Sequence, residues 1–222
     1  MWEAMCVSVE LAVVTTLLLL LIATPLAYLL TFTNFRGKTW LEALIALPIV
    51  LPPTVLGYFM LVLLAPRGFL GSAWSRLFDA SLAFSFAGMV IASVIYSLPF
   101  AVQPIQQAFR AMPKEWVEMA QTQGLDALTR LYWVVLPASR GGIYTAIALV
   151  FAHTMGEFGV VLMVGGSIAG ETKVASIYLF EQVELMHYDQ ANILAFILMG
   201  VSFVVLSLVY SLNQRWPSKA GV

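Results

Sequence analysis

The chain has 222 residues, of which 61% are hydrophobic and only 10% charged, and its net charge is -1. A soluble domain carries about a quarter charged residues, so this composition excludes a water-covered surface and makes the bilayer the solvent. The near-neutral balance supplies no basic field for nucleic acid. A single cysteine, Cys6, excludes an internal disulfide and a cysteine-based zinc cluster.

Only helices and closed barrels satisfy their backbone in lipid. The apolar runs here are continuous rather than alternating, which predicts an all-α membrane protein. Five spans are expected, at about residues 7–32, 41–64, 82–101, 143–164 and 193–212, each long enough for ~30 Å of hydrocarbon. The first run is too long for a signal-peptide core and lacks a basic segment before it, so a membrane helix is expected there rather than a cleaved leader.

The cations set an expected orientation. Arg36 and Lys38 fall between spans one and two, Arg110, Lys114, Arg130 and Arg140 between spans three and four, and Arg215 and Lys219 after span five. The other side carries Arg67, Arg76 and Lys173. The positive-inside rule places the N-terminus outside and the C-terminus inside, with Trp40 and Trp216 as interfacial anchors.

Pro48, Pro52 and Pro53 fall within span two, and Pro99 and Pro104 at the end of span three. Each removes a backbone donor and kinks or ends its helix, either as part of a pathway-lining element or as a packing kink. Between spans four and five, Val174, Ile177, Tyr178, Leu185 and Met186 have partly helical spacing, predicting a short amphipathic helix at the interface. With no internal repeat or linker, residues 1–222 read as one domain.

The segment from about 110 to 142 is far more polar than its surroundings. It contains Glu118-Met119-Ala120-Gln121-Thr122-Gln123-Gly124, then nine residues, then Val134-Val135-Leu136-Pro137. Pro113 suits a first helical turn, Gly124 a left-handed stop, and Asp126 the cap of a second helix that Pro137 ends. The result is a cytoplasmic helix-turn-helix. Its apolar residues Trp116, Met119, Leu125 and Leu128 have little within the chain to cover them, which suggests a soluble partner.

This spacing resembles the EAA loop of ABC importer permeases. Glu118, Ala120, Gly124, Leu136 and Pro137 match, while Met119 and Val134 replace other apolar residues of the motif. The resemblance implies that the loop docks on a cytoplasmic ATPase subunit. The stretch from Leu47 to Tyr58, the sequence His153-Thr154-Met155-Gly156-Glu157-Phe158-Gly159 and the segment from Gly165 to Thr172 look like corresponding parts of molybdate-type permeases. That likeness implies a homodimer of this subunit, two ATPases that hold the ATP and magnesium, and an external binding protein. It also implies translocation of molybdate by alternating access, with tungstate not separated from it and sulfate or thiosulfate as the alternative cargo. The chain itself is expected to be non-catalytic, without a cofactor or metal, in a prokaryotic inner membrane.

Three residues are candidates for the gate or pathway. Glu157 is an acid inside span four, and intramembrane ionisable groups are costly and often functional. His153 lies four residues earlier, on the same face of a continuous helix. Since an anion path should not expose a bare carboxylate, Glu157 is expected as a brace or gate rather than a ligand. Thr54 beside the double proline either offers a hydroxyl to a passing oxyanion or caps the broken backbone. The expected spans hold no Lys or Arg, so a tight dianion site within this subunit is not expected. A secondary transporter or channel would show repeats or coupling charges. A metalloenzyme would need a third ligand beside His153 and Glu157.

Overall fold

The computed structural model describes the backbone of residues 1–215 and the side chains of residues 1–211. Trp216 and Lys219, expected as an anchor and an inside charge, lie outside the described residues. Regular structure among the described residues is entirely helical. In chain order the elements are α1 (Trp2–Phe32), α2 (Lys38–Val50), α3 (Pro53–Leu64), α4 (Phe69–Phe78), α5 (Phe86–Arg110) and α6 (Lys114–Thr122). There follow α7 (Ala127–Arg130), a π turn (Leu131–Val135), α8 (Leu136–Ala138), α9 (Arg140–Met155), α10 (Gly159–Gly165), α11 (Ala175–Glu184) and α12 (Tyr188–Arg215).

The helices α1, α5 and α12 are each long and apolar enough to cross a membrane. By length and composition alone, counting each of two bent pairs as one span would raise the number to as many as five. The pair α2 and α3 meets at 112°, and the segment 127–138 meets α9 at 81°. Where one kinked helix was expected over 41–64, there are two helices. Pro52 cannot donate to the ladder and Leu51 before it is extended at φ -72°, ψ 139°.

Span three departs from expectation in the other direction. Residues 82–85 are not helical, and Ser85 caps α5 by accepting from the Gly88 amide. The helix then runs unbroken through Pro99 and Pro104 to Arg110. Those prolines leave the carbonyls of Ile95 and Phe100 without their usual partners. Burial against α1 and α9 holds the helix nonetheless, as helix packing does in membrane interiors.

The core is built from small residues. Ala23 and Ala27 of α1, Ala101 of α5 and Ala146 of α9 are fully buried, together with Leu19, Leu30, Ile105 and Phe109. Lipid gives no hydrophobic drive for helices to associate, so close approach of small side chains and the dispersion it gains carry the packing. Val7 and Leu11 cluster with Met89 and Val90, whereas Leu30 clusters with Ile105 and Phe109, so α1 and α5 run parallel. The chain must return from the end of α1 to the start of α5, and α2 and α3 lie on that return. The α9 helix runs antiparallel to α5. Gly142 lies so near Pro104 and Ala108 that a Cβ there would stand 2.3 Å from the Ala108 methyl, and at the other end His153 reaches Ser97.

The amphipathic helix expected before span five is α11. Val174 and Ile177 are buried, whereas Leu185 and Met186 beyond its end are exposed. Over Tyr188–Ser211 the long helix α12 buries little of itself and presents Phe196, Met199 and Phe203 outward.

Candidate functional site

The polar hairpin forms as a helix-turn-helix. Pro113 stands at the N-cap of α6 rather than inside its first turn. Gly124 ends the helix at φ +78°, a left-handed conformation that a Cβ disfavours. Asp126 caps α7, accepting from the amides of Leu128 at 3.2 Å and Thr129 at 3.5 Å and from the Thr129 hydroxyl. The hydrogen bond from the Thr129 side chain, with the amide bonds, holds its carboxyl below the usual aspartate range. Beyond the π turn the helix stops one residue after Pro137. Ser139 Oγ donates to the Val135 carbonyl at 2.5 Å and the Arg140 Nε to the Pro137 carbonyl at 2.8 Å.

The hairpin has two faces. Val117, Leu131 and Val135 join the main core beside Phe109 and Met112, so part of its apolar surface is covered from within the chain. Ala120 is buried with them and Leu136 packs against that cluster. The other face is open. Trp116 is 47%, Met119 60%, Leu128 65% and Trp133 78% exposed, with Glu118 and Gly124 exposed alongside. A concavity of about 420 Å³ lies between Leu128, Thr129, Tyr132 and Trp133.

Span four is interrupted where a continuous helix was expected. The α9 helix ends at Met155, and Gly156, Glu157 and Phe158 are not helical before α10 begins. His153 and Glu157 therefore do not share a helical face. They are related through α5 instead. Ser97 Oγ is 2.9 Å from His153 Nδ1, and Ser93 Oγ donates to Glu157 Oε2 at 2.7 Å. Ser93 and Ser97, one turn apart, are both fully buried. The His153 ring stacks on Phe100 with centroids 4.1 Å apart. Glu157 is buried at 4% exposure, and its Oε1 has no hydrogen-bond partner among the described residues. Its backbone carbonyl accepts from Ser176 Oγ of α11 at 2.5 Å, so the break is tied to both α5 and α11.

The two interrupted spans meet at their interruptions. A Cβ on Gly159 would stand 2.9 Å from the Pro53 Cβ, and one on Gly57 would stand 2.8 Å from the Met163 Cβ. Glycine at these two positions lets α3 and α10 pack backbone to backbone. Thr54 is exposed in the first turn of α3, and no side chain caps that helix. It shares an exposed face with Val55, Tyr58, Phe59 and Val62.

Sequence reasoning missed Ser93, Ser97, Ser176 and Glu42. The two serines repeat at one helical turn within an apolar run, a signal that could have been read. Glu42, one turn after Lys38, accepts from the Gln106 amide at 2.9 Å and pairs with Arg110 at 2.8 Å, tying α2 to the polar end of α5.

The model for the binding-protein-dependent transport system inner membrane component matches residues 12–219. The chain is 47% identical over 219 residues to the molybdenum transport system permease protein ModB of Azotobacter vinelandii, covering 99% of this chain and 96% of that protein. It is 32% identical over 191 residues to the sulfate transport system permease protein CysT of Salmonella typhimurium, covering 86% and 69%. The solved bacterial alginate ABC transporter in complex with an alginate pentasaccharide-bound periplasmic protein has a chain of like fold. Its TM-score is 0.76 at 15% identity, covering 99% of this chain and 80% of that one. The chain described here belongs to the inner membrane components of binding-protein-dependent transport systems, in the branch of the molybdate-type ABC permeases.

Proposed function

We propose that this chain is the membrane-spanning permease subunit of an ATP-driven importer that passes molybdate from an external binding protein to the cytoplasm. The observation that carries this reading is 47% identity to a molybdenum permease over nearly the whole of both chains. Sulfate is the second reading, supported by the more distant sulfate permeases. Tungstate is a tetrahedral dianion like molybdate and falls within the first.

On this reading residues 1–222 form one domain of five spans, with the N-terminus outside and the hairpin inside. The excess of Lys and Arg on the hairpin side supports that orientation. The exposed hairpin face docks on a cytoplasmic ATPase subunit, which holds ATP and magnesium. Glu118 and Gly124 belong to the docking helix and its stop. Ala120 seats that helix on the core, and Leu136 and Pro137 fix the second helix where it turns into span four. The permease subunit breaks no bond and binds no cofactor of its own.

Two copies enclose the pathway. The exposed face of α3 that carries Thr54 lines it, offering a hydroxyl where the two broken spans meet. His153 and Glu157 turn toward α5 and act as braces of the gate rather than as ligands. Closure of the ATPases on ATP draws the two hairpins together and opens the pathway outward. Hydrolysis reverses it. The absence of Lys and Arg from the expected spans supports a low-affinity path and leaves capture to the binding protein.

The test is ATPase activity of the assembled transporter in lipid, with binding protein loaded with molybdate, tungstate or sulfate. Stimulation by the molybdate- and tungstate-loaded forms, and not by sulfate, is expected. Equal or stronger stimulation by sulfate overturns the cargo assignment.

A further inference from the structure

The helix α4, between spans two and three, is amphipathic in the reverse sense for a protein surface. Its inward side is made of Gly71, Ser72 and Ser75 with Trp74 beside them. Gly71 is buried against the Ala65 backbone, and Ser75 Oγ donates to the Gly71 carbonyl at 2.8 Å. Its outward side carries Phe69 at 83% exposure, Leu77 at 77%, Leu70 and Ala73. These outward residues fall within one face at 100° per residue, and Arg76 sits at that face's margin. Arg67, just before the helix, is also exposed, and neither arginine is ion-paired among the described residues. Asp79 lies past the end of the helix and off that face.

We infer that α4 lies in the outer leaflet as an interfacial helix, with Phe69, Leu70 and Leu77 among the acyl chains and Arg67 and Arg76 on lipid phosphates. A helix with large apolar groups on one side and basic residues at the margin is the form that binds a lipid surface in plane. Its charge complements phosphate and does not complement itself. A second copy meeting this face across a two-fold axis would set each arginine-bearing patch against its like. A binding protein that docks only during turnover would leave Phe69 and Leu77 in water for the rest of the cycle.

The side of the membrane rests on the proposed orientation, and the experiment reads it separately. In a Cys6→Ser background, Phe69→Cys, Leu77→Cys and Ser81→Cys are each labelled with a nitroxide in the assembled transporter. The proteins are reconstituted in vesicles of phosphatidylethanolamine and phosphatidylglycerol. Labels at 69 and 77 are expected to collide more with oxygen than with a water-soluble nickel chelate, relative to the label at 81. Replacing phosphatidylglycerol with phosphatidylcholine, or making Arg67→Gln with Arg76→Gln, is expected to lower that preference. Preferential nickel access at 69 and 77, spin–spin broadening between copies, or protection that appears only with binding protein overturns the lipid assignment. Reduction by added ascorbate reports which leaflet holds the labels, so a wrong orientation is told apart from a wrong partner.

Discussion

Ser93 donates to Glu157 across 2.7 Å, joining the middle of α5 to the break between α9 and α10. Both residues are buried, and the same glutamate holds Ser176 of α11 through its backbone. One residue thereby ties three elements where span four is interrupted.

Removing the donor should be felt. Ser93→Ala leaves both carboxyl oxygens of Glu157 without a partner and should cost about 1–3 kcal/mol of stability. Thermal melts of the purified transporter read that loss. Glu157→Gln, which can still accept from Ser93, should lose less than Glu157→Ala. If the glutamine protein also transports normally, gate bracing requires the hydrogen bond and not the acid.

At the hairpin turn, Gly124→Ala forces a Cβ into the left-handed region, at about 1–2 kcal/mol. Gly124→Asn should be milder. Both proteins should insert into the membrane normally while retaining less ATPase on co-purification. Wild-type retention in Gly124→Ala would remove the turn from the docking surface.

The Glu42 contacts predict an asymmetry. Arg110 is 54% and Glu42 33% exposed, so the ion pair alone is worth about 0–1 kcal/mol. Arg110→Ala should therefore be nearly neutral and insensitive to salt. Glu42→Ala also strands the buried Gln106 amide and should destabilise by about 1–3 kcal/mol. Equal melting temperatures for the two variants would contradict this.

Asp126 makes the hairpin sensitive to acid. Its folded carboxyl is held below the ordinary range by Thr129 and the helix amides. A lowered folded value stabilises above the unfolded value, and that contribution is lost as pH falls through the folded one. Hydrogen exchange at Leu128 and Thr129 should quicken at acid pH relative to the rest of the hairpin, after correction for intrinsic rates. Asp126→Asn, which still caps, should abolish that pH dependence.

Much of this architecture was legible in the sequence. Long apolar runs marked α1 and α12, and the glycine stop at 124 and the aspartate cap at 126 marked the hairpin. Local chemistry determines these features, so local pattern reveals them. The 112° bend at Leu51–Pro52 was not legible, because proline marks a break without setting its angle. Pro99 and Pro104 misled in the opposite way, since packing on α1 and α9 carries the helix through them. The interruption at Glu157 hid in an unbroken apolar run. The residues that hold it, Ser93 and Ser176, are distant in sequence. The α4 helix was missed because its 10 residues are too few to read as a span.

In the proposed function, ATPase work enters through the hairpin. This is tested most directly with a single cysteine at Met119, in a Cys6→Ser background. In sealed right-side-out vesicles, impermeant maleimide should not reach it. In inverted vesicles it should react, and the ATPase subunit should both shield it and form a cross-link to it. Labelling from the outside, or no shielding by the ATPase, would exclude the hairpin as the ATPase docking site.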